Sequence, residues 1–175
     1  MKHKLLALAI ASAAALTPMI SSASDGTITF TGAITANTCT LTTDPNFTVI
    51  LPTVPVATLA SSGATAGSTA FYIGLGTCHA NLTGANVYFE AGPNVNTSTG
   101  RLINTGNAGN VQLELRTKAG TAINANGTAG NQYTLQSNNI TSNTAQLEYT
   151  VNYYATGATT AGSVGSSITY TVVYN

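Results

Sequence analysis

A period of two governs this chain. Val111, Leu113 and Leu115 alternate with Gln112, Glu114 and Arg116, and Leu147, Tyr149, Val151 and Tyr153 alternate with Glu148, Thr150, Asn152 and Tyr154. Successive side chains of a strand point to opposite faces, so each run has one face in a core and one toward water. Phe71, Ile73 and Leu75 repeat the pattern on the approach to Cys78, Val87 and Phe89 make a shorter example, and the apolar run Phe47 to Leu51 is stopped by Pro52. Between the runs lie Gly92-Pro93-Asn94, Thr105-Gly106-Asn107 and Asn124-Ala125-Asn126-Gly127, which is turn chemistry. Helical periodicity is scarce beyond the first residues. Several short strands separated by turns in one mid-sized chain predict a β-sandwich.

The first residues read differently. Lys2, His3 and Lys4 precede the apolar run Leu5 to Leu16, with Ser21 and Ala23 at the small positions a signal peptidase requires. A run of about a dozen apolar residues is too short for a membrane span, which needs about 20. Residues 1–23 are therefore expected to be an export signal, and no direct membrane insertion is expected of the rest.

Beyond the signal the charges are few: Arg101, Arg116 and Lys118 against Asp25, Asp44, Glu90, Glu114 and Glu148. With no basic stretch to meet phosphates, a nucleic-acid partner is not expected. Glu114 and Glu148, on the polar faces of their strands, read as solvated. A surface of Thr, Asn, Ser, Gly and Ala carries little charge to oppose association, which suits a subunit that assembles. Cys39 and Cys78 are the only cysteines. In an oxidising compartment they are expected to pair, closing a loop of about 40 residues worth roughly 4 kcal/mol in chain-entropy terms. Their spacing suits neither a CxxC redox site nor a metal site, and no cofactor is expected.

The two ends carry the more specific information. Ile28, Phe30, Gly32 and Ile34 fall on one side of an extended segment, and Ile168, Tyr170, Val172 and Tyr174 do the same near residue 175. Both segments suit ordinary terminal strands tied into their own sheet. Gly32, however, weakens a core strand while suiting close backbone approach in a narrow groove.

These ends and the cysteines together resemble the major-type pilins of the chaperone-usher pathway, the type 1 fimbrial protein family. The resemblance is carried by Gly26-Thr-Ile-Thr-Phe-Thr-Gly32-Ala-Ile-Thr-Ala-Asn-Thr-Cys39, by Leu51-Pro-Thr-Val-Pro-Val-Ala-Thr-Leu59, and by Phe71-Tyr-Ile-Gly-Leu-Gly-Thr-Cys78. Tyr153-Tyr-Ala-Thr-Gly157 and Ile168-Thr-Tyr-Thr-Val-Val-Tyr-Asn175 complete it. It implies an all-β fold, an incomplete immunoglobulin-like sandwich lacking its final strand and completed by a donated one. Residues 24–38 would be the donor extension, with Ile28, Phe30, Gly32 and Ile34 as its inward residues, and residues 39–175 the pilin domain. The same resemblance assigns Gly162, Ile168, Tyr170, Val172 and Tyr174 to chaperone recognition. It names as partners a periplasmic chaperone, an outer-membrane usher and neighbouring copies of this chain or related pilins, and it places the product in a fimbrium on the cell surface. The acceptor groove is expected along part of 147–153 and along 168–174, with Tyr149, Tyr153 and Tyr170 in the core or lining it. The extension is short beside that of some major subunits, so a minor or adaptor subunit stands as a second expectation.

Other functions find less support. The one histidine beyond the signal, His79, adjoins a paired cysteine, and neither a nucleophile elbow nor a carboxylate pair is present, so an enzyme is not expected. A carbohydrate-binding adhesin would use polar loops, and Asn94 to Gly100 and Asn104 to Gly109 are the candidates. An adhesin of this family would carry a binding domain ahead of the pilin domain, whereas here the donor-like strand follows the signal at once.

Overall fold

The computed structural model describes residues 26–32, 38–133, 136 and 138–175. The export signal and Ile34 lie outside the described residues. The chain divides into two units, Met1–Ile34 and Thr35–Asn175. In the first, residues 26–32 carry no secondary structure, and the side chains of Ile28 and Phe30 are 79% and 89% exposed.

The second unit is all-β apart from short turns of helix. Its elements are β1 (Thr40–Leu41), a 3-10 turn (Val56–Leu59), β2 (Thr65–Gly76), β3 (Ala85–Phe89), β4 (Leu102–Ile103), β5 (Val111–Thr117), α1 (Ala129–Tyr133), β6 (Ala145–Ala155) and β7 (Tyr170–Tyr174). One sheet runs β1-β2-β6-β5-β4 and the other is the pair β3-β7. The strand pairings among the described residues are antiparallel. The alternation read from the sequence sets the inward faces: Ile73 and Leu75, Val87 and Phe89, Leu113 and Leu115, and Leu147, Tyr149 and Val151 are all buried between the two sheets. The Tyr149 ring meets Phe89 edge-on at 5.2 Å, joining the sheets at their centre. Burial raises its phenol pKa far above the ordinary value.

Cys39 and Cys78 form the expected disulfide. It ties the start of β1 to the loop after β2.

Two features depart from the sequence reading. Glu114 is buried, not solvated, because Arg101 and Arg116 close over it: Arg101 Nε donates to Oε2 at 2.8 Å and Arg116 Nε to Oε1 at 2.8 Å. The Arg101 guanidinium in turn lies 3.5 Å from the centre of the Tyr154 ring. Phe47 to Leu51 belongs to no sheet. It continues through Pro52 and Pro55 as an extended stretch, held by Phe47 packing on Phe71 and by the Tyr153 hydroxyl donating to Pro52 O at 3.2 Å.

Candidate functional site: an apolar groove beside β7

The two sheets fail to close along one side. Ladder bonds from β7 to its partner β3 run through residues of one parity, with Thr169 O accepting from Glu90 N at 3.0 Å and Asn175 N donating to Gly84 O at 3.0 Å. In an antiparallel ladder the next residues turn their N–H and C=O groups the other way. Tyr170, Val172 and Tyr174 therefore present backbone donors and acceptors to an edge on which no described strand lies, while their side chains stay half-buried against the core.

Opposite this edge stands the stretch 45–56, and between the two runs an apolar groove of two adjoining chambers, with a third cavity further along the same stretch. The central chamber, about 490 Å³, is bounded by Phe47, Val49 and Leu51 on one wall and by Ile168 and Tyr170 on the other, with Leu115 and Val151 on its floor. A second, about 480 Å³, continues past Pro45 to Val172, Tyr174 and Cys39. A third, about 390 Å³, lies toward Val54, Val56, Tyr153 and Gly162. Of the residues expected to line an acceptor groove, Val151, Tyr153, Ile168, Tyr170, Val172 and Tyr174 border these chambers, whereas Leu147 and Tyr149 are core. The groove's proline-bearing wall, Pro45 to Val56, was visible only as an apolar run, since a stretch that joins no ladder leaves no alternation to read.

Gly162 sits at the far end for a packing reason. A Cβ there would come within 2.6 Å of Ala108 N and 2.5 Å of Asn107 Oδ1. The loop holding those atoms clasps the segment leading to β7: Ser163 N donates to Asn107 Oδ1 at 2.6 Å, Ala108 N to Ser163 O at 3.0 Å, and Gly165 N to Asn104 Oδ1 at 2.9 Å. The asparagines of the two loops considered for sugar binding are thus engaged in building the fold. Asn96 Oδ1 likewise accepts from Ser98 N and Thr99 N at 3.0 Å, and Asn94 Nδ2 donates to Ser167 Oγ at 2.9 Å.

A two-layer β-domain with one backbone edge open beside an apolar groove is a strand-accepting module, made to be completed by a segment from outside its own fold. The profile of the family Type-1 fimbrial protein, A, matches residues 51–175, and the chain belongs to that family. It is 41% identical over 169 residues to the major fimbrial subunit SMF-1 of Stenotrophomonas maltophilia, covering 92% of this chain and 99% of that one. It is 41% identical over 157 residues to the F17 fimbrial protein of Escherichia coli, covering 86% of this chain and 87% of the relative. Among solved structures, a chaperone-usher pilus subunit shares the fold with a TM-score of 0.61 and 18% identity, over 91% of this chain and 100% of that one. The protein is a structural, non-catalytic pilus subunit of the chaperone-usher class, exported and assembled into a surface fimbrium by donor-strand exchange.

Proposed function

We propose that the groove beside β7 receives residues 24–38 of a neighbouring subunit, with Ile28, Phe30, Gly32 and Ile34 directed inward, and that residues 39–175 are the receiving domain. The observation that carries this reading is the coincidence of an open backbone edge with an apolar trough on the same side of one strand. Ladder bonds along Tyr170, Val172 and Tyr174 are indifferent to sequence, while alternate side chains of the incoming segment supply fit. Each large apolar side chain it buries contributes about 1.5–3 kcal/mol. The threonines between them favour an extended backbone through their β-branch.

Before exchange the same edge is a hazard, since an unpaired apolar strand pairs with whatever strand it meets. We assign the temporary cover to the periplasmic chaperone, acting on Gly162, Ile168, Tyr170, Val172 and Tyr174, with replacement at the outer-membrane usher. Gly162 suits that role indirectly, because the loop it packs on fixes the path of the strand that follows. Deleting Asp25 to Thr35 tests the reading. The shortened subunit is expected to be recovered with its chaperone yet fail to donate to another subunit, and normal fibre assembly by that variant would overturn it.

A further inference from the structure

The β3–β7 sheet has a second edge, and it is closed in an unusual way. Residues of β3 with even numbers face β7; Ala85, Val87 and Phe89 turn their backbone groups away from it. No strand lies there among the described residues. Instead, Gln132 Oε1 accepts from Phe89 N at 3.0 Å while Gln132 Nε2 donates to Phe89 O at 3.0 Å. Gln136 repeats the exchange with Val87, accepting at 2.9 Å and donating at 2.8 Å. Ala85 N is taken by the backbone carbonyl of Asn138 at 3.1 Å. A glutamine side chain ends in a planar primary amide with the donor and acceptor of a peptide group. Gln132 in α1 and Gln136, three residues beyond its end, carry two such amides that match the two-residue repeat of the strand edge. Gln132 is fully buried, and Gln136 is fixed further by the Tyr149 hydroxyl, which donates to its Oε1 at 2.6 Å.

We propose that Gln132 and Gln136 decide which edge of the sheet accepts a strand. They fill the hydrogen-bonding positions of Val87 and Phe89 on β3 with side-chain amides, so that β7 is left as the edge of this sheet open to a strand. A longer backbone segment there would do the same work but could itself be displaced by strand exchange; the two side chains, braced on each other by Gln136 Nε2 donating to Gln132 O at 3.1 Å, form no ladder that can be peeled off. This inference rests on strand donation into the groove beside β7 and adds the determinant of its site.

The test uses the mature chain purified with its chaperone, its Gln136→Leu and Gln132→Leu/Gln136→Leu variants, and a synthetic peptide of residues 24–38. Native mass spectrometry counts peptides per subunit, and a photoreactive group at position 30 of the peptide reports the strand it touches. Wild type is expected to take one peptide, cross-linked beside β7. The double variant is expected to take a second, cross-linked to β3, and Gln136→Leu alone to take it at intermediate occupancy. One peptide per subunit with cross-links confined to β7 in a folded variant would overturn the proposal. A second readout needs no peptide: subunits lacking residues 25–35 are expected to stay monomeric on the chaperone with both glutamines present and to associate through β3 without them. Equal association in both would overturn the proposal. A wild type that takes no peptide but whose glutamine variants still associate would count against strand donation and not against the sealed edge.

Discussion

The Tyr170 hydroxyl donates to Pro45 O at 3.2 Å, a bond that joins the strand wall of the groove to its proline wall where the central and second chambers meet. A segment laid along β7 must pass this point. Tyr170→Phe keeps the ring and removes the tie. The empty subunit is expected to lose about 1 kcal/mol of stability, the net worth of one hydrogen bond. Peptide uptake is expected to quicken several-fold, measurable by stopped-flow fluorescence with a labelled peptide of residues 24–38. Unchanged or slower uptake would show that the bond does not hold the groove shut.

Two glycines should respond in opposite ways. A Cβ at Gly162 collides with Ala108 and Asn107, while one at Gly32 meets nothing within 4 Å in its own chain. Gly162→Ala is expected to cost about 1–3 kcal/mol in urea unfolding of the strand-complemented subunit.

Gly32→Leu is expected to leave that stability unchanged and to slow the donation of its own extension to a neighbour, seen as slower polymerisation from chaperone-bound subunits. Wild-type polymerisation rates would count against the inward placement of Gly32.

Removing the carboxylate between Arg101 and Arg116 should be costly, because it strips two partly covered guanidinium groups of their shared acceptor. Glu114→Ala is expected to lower unfolding free energy by about 2 kcal/mol, less than for a wholly buried pair because both arginines reach water. The midpoint of urea denaturation reads this directly, and Lys118→Ala, at an exposed pair with Glu148, serves as a near-neutral control.

Acid should loosen the β3–β7 seam from its solvent face. Thr171 and then Thr169 donate hydroxyl bonds to the Glu90 carboxylate and hold its pKa below the ordinary 4.5. A carboxyl depressed on folding contributes stability that is present above 4.5 and fades as pH falls through its lower folded value. Thermal melts of wild type and Glu90→Gln are expected to differ at pH 6 and to converge toward pH 3. A constant gap across that range would show that the hydroxyl bonds do not carry the effect.

What could be read in the sequence was what repeats locally. The alternation of Val111, Leu113 and Leu115 and of Leu147 to Tyr153 located β5 and β6 because both strands bury one face. The first half of β2, from Thr65 to Ala70, escaped notice since its Thr, Ala, Gly and Ser residues show no apolar period. Glu114 was misjudged for a different reason: its strand position faces outward, and the cover comes from Arg116 on its own strand together with Arg101, on the far side of a turn. Gln132 and Gln136 were invisible for the same cause, as their meaning lies in a strand more than forty positions away. The groove itself required the three-dimensional placement of the 45–56 stretch against β7.

The disulfide gives the fibre a route for tension. Pull applied to residues before Cys39 would enter the domain through β1, whose two residues, Thr40 and Leu41, pair with Gly76 and Leu75. The Cys39–Cys78 bond offers a parallel covalent branch that delivers the load beside the end of β2, the strand paired with β6 along most of its length. Force along the filament is expected to divide between a short edge strand and the centre of the larger sheet, and reducing that one bond is expected to lower the load a single subunit bears before it opens.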